Sequence, residues 1–115
     1  LTKFDYLSCR KNNINIKNII MEIQKRIDDN RGSFFIEKDG RQVAELDFVI
    51  KENILDAVHT GVRPELEGQG IASRLFDEMV NFAREKGYKV KPTCPYIDVK
   101  FKRDPDGFSD VVYKP

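Results

Sequence analysis

Residues 54–90 read as strand, glycine-punctuated turn, amphipathic helix and short strand, and this order constrains the fold more than any other feature of the chain. Ile54–Thr60 is the first strand of the unit. Gly61 to Ala72 leaves it and opens a helix in which Ile71, Leu75, Met79 and Phe82 recur at helical spacing, thickened by Ala72, Phe76 and Ala83. Gly87 stops the helix. Tyr88-Lys89-Val90 follows as a short strand. If the helix is a crossover, the two strands it joins run parallel.

Upstream, Asp39-Gly40 separates two strand-like runs, 33–38 and 41–50. Asp-Gly suits a type I′ hairpin turn, which needs positive φ at both central positions. In the second run Ala44, Leu46, Phe48 and Ile50 alternate with Val43, Glu45, Asp47 and Val49, the mark of a half-buried antiparallel strand. Lys51-Glu52-Asn53 turns the chain into Ile54. Ile16, Ile19, Ile20, Ile23 and Ile27 fall at helical spacing, so the pattern predicts an N-terminal amphipathic helix over 16–29, with Asn15 as N-cap and Asn30-Arg31-Gly32 as its end. Residues 96–103 read as a short helix, Asp104–Gly107 as a turn and Val111-Val112-Tyr113 as a terminal element. The expectation is an α+β domain: an antiparallel hairpin and third strand, then a strand–helix–strand crossover. Residues 1–32 form a helical extension and 33–115 the domain proper, in one compact unit.

Composition narrows the partners. At roughly 100–200 residues per domain, 115 residues make one domain. Lys+Arg is 20 against 19 Asp+Glu, which argues against a nucleic-acid binder or an anionic-membrane binder. No apolar run is long enough for a membrane span or a signal-peptide core. Two cysteines, Cys9 and Cys94, do not make a disulfide framework, so a reducing, intracellular and cytoplasmic setting is expected, with an upstream targeting segment left open. Residues 32–83 hold ten Asp/Glu and five Lys/Arg, while the segments on either side are basic. These are solvated faces, or an acidic middle that attracts a cationic acceptor beside a basic end that helps hold phosphate.

Strand, Gly68-Gln69-Gly70, helix is a physical recipe for binding anions. Free N–H groups at a helix start point outward, the helix dipole adds positive charge, and glycine lets the backbone approach a pyrophosphate. A Rossmann loop would need a third glycine and a Walker loop Gly-Lys-Ser/Thr, and both are absent. Two glycines also fit a turn that needs them only for its backbone.

His59-Thr60, Pro64-Glu65-Leu66-Glu67-Gly68-Gln69-Gly70-Ile71-Ala72 and Pro92-Thr93-Cys94-Pro95-Tyr96, in this order, resemble the GNAT acetyltransferase superfamily, and more closely its minimal N-acetyltransferase-domain members. The resemblance covers about residues 33–113. It implies acetyl-CoA as co-substrate and an amine as acceptor. It implies a pyrophosphate on the backbone of Glu67, Gly68, Gln69, Gly70, Ile71 and Ala72 with Ser73 near, pantetheine along the third strand near Val62, and Tyr96 as an adenine-side contact, an acid or a packing residue. Glu65 stands where the superfamily's loop has Gln or Arg, Gly61 where relatives often carry Glu, and Phe101 where Tyr is common. Gly107 looks like an extra residue in the Pro-x-aromatic turn.

Acetyl transfer from a thioester to an amine needs a proton acceptor, an oxyanion donor and a proton for the leaving thiolate. It needs no metal, and one His with two Cys gives no metal-ligand spacing. His59, the only histidine, is the candidate base, with an unperturbed pKa of about 6.5. Cys94, after the short strand, is the candidate acid or nucleophile. Each also has a plain structural reading, His59 hydrogen-bonded in the sheet and Cys94 as core. Beside the N-acetyltransferase stand two alternatives, a non-catalytic acetyl-CoA-binding sensor or carrier and an interaction protein using the Ile-rich helix.

Overall fold

The computed structural model describes residues 22–115. Among these residues five strands form one sheet in chain order: β1 (Ile23–Asp28), β2 (Arg31–Lys38), β3 (Arg41–Lys51), β4 (Ile54–Val62) and β5 (Lys89–Lys91). The first four pair antiparallel, and β5 runs parallel to β4. Helix α1 (Ile71–Lys86) is the crossover, and α2 (Pro95–Arg103) follows β5. The Asp-Gly hairpin forms with both residues at positive φ, Asp39 at 55° and Gly40 at 78°. Glu52 and Asn53 repeat the geometry at 52° and 68°. Gly87 ends α1 at φ 77°.

The predicted N-terminal helix is corrected. Residues 23–28 are strand β1, paired with β2 from Ile23↔Ile36 to Asp28↔Arg31; 16–21 lie outside the described residues. The physical reason is that Ile23-Gln24-Lys25-Arg26-Ile27 alternates as well as it spirals. Pairing with β2 satisfies its backbone groups, so tertiary context overrides a helical pattern. The turn at Asp29 (φ 58°) then takes the place of the expected helix end. Residues 23–32 therefore belong to the sheet and not to a separate helical extension. Lys25 lies over Phe82 and Arg26 over Phe35, at 4.6 and 4.3 Å from the ring centroids, so charged stems cover this edge strand and blunt it.

Both helices pack on one face of the sheet. Phe34, Ile36, Ala44, Leu46, Phe48, Leu55 and Ala57 meet Leu75, Phe76, Met79, Phe82 and Ala83 in one core. Phe34, Phe48 and Phe82 form one aromatic triad, with centroids 5.5–5.9 Å apart. Phe76, Phe101 and Phe108 form a second, each pair at 5.3 Å, which seats α2 and the C-terminal segment on α1. Phe101, at the position where Tyr is common in the resembling family, is thus core. The C-terminal segment closes beside β5 through a parallel bridge, Val90↔Val112. Gly107 lets the Asp104 carboxylate close on its N–H at 3.1 Å; a Cβ there would collide with that carboxylate. Among the described residues no helix covers the opposite face of the sheet, and none is long and apolar enough to cross a membrane.

Two register shifts shape that sheet. In β4 the pairing steps from Phe48↔Ala57 to Asp47↔His59, so Val58 is an extra residue. Leu55 and Ala57 face the helices before the bulge; Thr60 and Val62, opposite Leu46 and Ala44, face them after it. His59 and Gly61 are turned to the uncovered face, beside Asp47 and Glu45.

Candidate functional site

The site grows from a mismatch in strand length. β5 pairs with β4 only over Ile54–Asp56. One further link follows, the Cys94 N–H donating to the Ala57 carbonyl at 2.8 Å. Among the described residues, no strand lies beside the edge of β4 from Val58 to Val62. The start of α1 lies against that open edge. Thr60, Gly61, Val62, Leu66, Glu67, Gly68, Gly70, Ile71, Ala72, Ser73 and Tyr96 enclose a pocket of about 280 Å³ between them.

The helix start is built to leave donors free. A 3-10 turn, Pro64–Leu66, delivers the chain to Gly68 and Gly70, which take φ 83° and 74°. Gly70 is the N-cap, and among the described residues no side chain caps the helix. The first bond inside α1 is Arg74 N–H to the Gly70 carbonyl at 3.1 Å, so the N–H groups of Ile71, Ala72 and Ser73 have no partner within the helix. A Cβ at Gly68 or Gly70 would meet nothing within 4 Å. Space for a ligand therefore stands directly over these backbones.

Most of the sequence-derived cofactor residues, Val62, Gly68, Gly70, Ile71, Ala72, Ser73 and Tyr96, line this pocket together. Glu67 and Gln69 stand apart. Glu67 lines the pocket, but its N–H is spent on the Pro64 carbonyl at 3.2 Å, because the 3-10 turn closes there. Gln69 is exposed and outside the lining. Burial pushes the Tyr96 phenol above its ordinary value, with Asp77 adding to the rise, so it stays protonated and able to donate at neutral pH. Lys100 is a residue the sequence reading missed. Its Nζ donates to Ser73 Oγ at 3.0 Å and lies 5.1 Å from the Phe76 centroid. Its signal was spacing: Lys100 is four residues from Tyr96, so both project from one side of α2.

The candidate base and acid are not brought together. Cys94 is 6% exposed and starts α2. Its Sγ lies 3.5 Å from Thr60 Oγ1, in donating distance for a thiol, and Thr60 lines the pocket. Asp56 holds the preceding loop by accepting from the Thr93 hydroxyl. His59 lies on the far face of the same strand, its Nε2 3.0 Å from Glu45 Oε2. Gly61 is where the two sides come closest: it lines the pocket and has the Glu45–His59 pair against its other side. Among the described residues no cluster of His, Cys, Asp or Glu is suited to a metal ion.

Comparison with known proteins agrees with this geometry. A family model described as GCN5-related N-acetyl-transferase matches residues 33–111. The solution structure of a GCN5-like protein from Staphylococcus aureus is similar at 28% identity and TM-score 0.62, covering 84% of this chain and 91% of that one. A GNAT-family protein from Staphylococcus aureus matches at 18% identity and TM-score 0.50, over 55% of each chain. The ribosomal-protein-S18-alanine N-acetyltransferase of Escherichia coli matches at 14% and 0.51, over 56% of this chain and 42% of its own. These last two share the fold alone, and this chain spans only about half of their length. No curated protein sequence matches the chain significantly. An open β4 edge against an uncapped glycine-rich helix start, and a family match running through both, lead to one conclusion: the chain belongs to the GCN5-related N-acetyltransferase family.

Proposed function

We propose that this chain is an N-acetyltransferase that holds acetyl-CoA between β4 and the start of α1 and passes the acetyl group to an amine. The observation that carries the reading is the junction itself: an uncapped helix N-terminus, two left-handed glycines with open space above them, and an unpaired strand edge on one pocket. The pyrophosphate fits the N–H groups from Gly68 to Ser73, where the helix dipole contributes about half a positive charge. Ser73 and Lys100 add a hydroxyl and a cation at the rim. The amides of pantetheine fit the edge of β4 from Val58 to Val62 as an added strand would.

In the transfer the amine nitrogen bonds the acetyl carbon and the carbon–sulfur bond breaks. The proton lost by the amine goes to His59. The thiol of Cys94, held against Thr60 at the pocket wall, supplies the proton that the departing thiolate takes up. Backbone N–H groups of the open β4 edge are suited to the oxyanion.

Two measurements test this. Calorimetry with acetyl-CoA should show binding to the wild type and a loss of about tenfold or more in Gly70→Ala, equal to about 1.4 kcal/mol. A left-handed alanine costs the fold only about 1–2 kcal/mol, so circular dichroism should still report a folded chain. Equal affinity in the folded variant would remove the pocket assignment. Release of free thiol from acetyl-CoA, followed against polyamines, peptides and small amines, tests transfer. Binding without release by any amine returns the chain to the class of non-catalytic acetyl-CoA modules.

A further inference from the structure

Glu45 and His59 meet over a residue that has no side chain. Gly61 lies opposite Glu45 in the β3–β4 register, and Asp47 opposite His59. A Cβ on Gly61 would collide with Glu45 Oε2 and stand 3.1 Å from His59 Nε2. Glycine at 61 is therefore what lets a carboxylate from the neighbouring strand reach the imidazole. The contact is 3.0 Å, and the carboxylate is the more sheltered partner, at 24% exposure against 56% for the ring.

The carboxylate is held from its other side as well. Gln42 Nε2 donates to Glu45 Oε1 at 3.4 Å, and Arg26 Nη2 donates to Gln42 Oε1 at 3.5 Å. Arg26 itself lies 4.3 Å from the Phe35 centroid. A row of side chains from β1, β3 and β4 thus crosses the uncovered face and ends at His59. An ionised carboxylate only accepts hydrogen bonds. The ring nitrogen facing it must then carry the proton, and the other nitrogen keeps its lone pair.

We infer that Glu45 is a positioning residue that fixes the proton of His59 on Nε2 and leaves Nδ1 as the atom that receives the amine's proton. This rests on His59 as the base, as set out under Proposed function. When Nδ1 takes the proton, the ring becomes an imidazolium whose Nε2–H already points at a carboxylate, which makes that bond charge-assisted. The proton then leaves to solvent, Cys94 regains from the same solvent the proton it gave to the thiolate, and the products are the amide and the free thiol of CoA. The bulge at Val58 is what makes this possible, because a regular strand carrying the same residues would alternate His59 onto the helix face and away from Glu45.

The chain has one histidine, so nitrogen NMR of its ring needs no assignment by mutation. The wild-type neutral ring is expected as the Nε2–H form. Glu45→Ala should shift the ring toward a mixture of both forms, and Glu45→Gln, which still offers a carbonyl oxygen, should restore it in part. A wild-type ring protonated on Nδ1, or a Glu45→Ala spectrum identical to the wild type, would overturn the inference. Turnover of acetyl-CoA with the best amine of the panel gives the second readout. Glu45→Ala should lower kcat by up to roughly 10²-fold, the lower end of acid–base help, with the KM for acetyl-CoA and the melting temperature unchanged. In a His59→Gln background it should add nothing further. Full turnover in His59→Gln overturns the base reading and this inference with it. Loss in His59→Gln without loss in Glu45→Ala overturns the role of Glu45 alone and leaves the base standing.

Discussion

Cys94 joins two jobs in one side chain: its backbone ties α2 to Ala57, and its thiol faces Thr60 across 3.5 Å. Substitutions separate them. Cys94→Ser keeps a donor for Thr60 but replaces the thiol with a hydroxyl far too weak an acid to protonate a thiolate. Cys94→Ala removes the donor as well. If the thiol is the acid, both variants should slow transfer by roughly 10²–10⁴-fold while acetyl-CoA affinity in calorimetry stays level. Intact-protein mass spectrometry after acetyl-CoA alone should show no acetyl adduct at Cys94, with Cys9→Ser as background. Normal turnover in Cys94→Ala would take this residue out of the chemistry. At this scale residue identity was legible but direction was not. Gly68, Gly70, His59 and Cys94 each stood out by type and place. That His59 faces away from the helices depends on Val58, whose bulge leaves no mark in a run such as Leu55-Asp56-Ala57-Val58-His59. Glu45 was read only as one of the alternating outward positions of its strand, and Lys100 was passed over.

The elements are joined at their far ends by one polar clamp. Arg84 on α1 makes two bonds to the Asp110 carboxylate, at 2.9 and 3.0 Å, and a third to the Gly107 carbonyl at 2.8 Å. The hydrogen bond from Arg84 holds the Asp110 carboxyl below the usual carboxylate range and raises the arginine. A lowered folded value means stability present above the unfolded pKa of about 3.9 and lost as pH falls through the folded one. The melting temperatures of wild type and Asp110→Asn should therefore differ most near neutral pH and converge in acid. The gap should also be modest and shrink with salt, since the pair is exposed. A gap that widened below pH 4 would contradict the sign. In the core, Phe76 is fully buried and belongs to the triad that seats α2. Phe76→Ala should cost about 3–5 kcal/mol in denaturant unfolding; a loss under 1 kcal/mol would show that the triad does not hold α2 down. Hairpin, crossover and its helix were legible because each carried a local signal: Asp39-Gly40, the stripe from Ile71 to Ala83, and Gly87; the second helix was read over 96–103 and starts one residue earlier, at Pro95. Strand β1 was not, because Ile23 and Ile27 satisfy a helical stripe and an alternating strand equally, and only β2 decides between them.

At the scale of the whole molecule, the described residues put their main apolar cluster on one side of a five-stranded sheet and the open strand edge at the mouth of the pocket. With formal net charge +1, a phosphate-bearing ligand is not gathered by the molecule's overall field. On the proposed reading, recognition falls to the fixed donors of the α1 start, to Lys100 and to the β4 edge. That division predicts a ranking. Ligand held at about 100 times its Kd stabilises the folded chain by about 2.7 kcal/mol, and for a domain of this size each kcal/mol is worth about 4–8 °C. Acetyl-CoA and CoA should therefore each raise the melting temperature by roughly 10–20 °C at that saturation. ADP presents the pyrophosphate to α1 but has no pantetheine to pair with β4, so at the same concentration its shift should be a small fraction of theirs. Gly70→Ala should reduce all three shifts together, because the phosphates of every ligand meet the same backbone. A shift with ADP as large as that with acetyl-CoA would mean that the open strand edge contributes nothing. In that case the missing length of β5 would have to be explained by something other than a ligand.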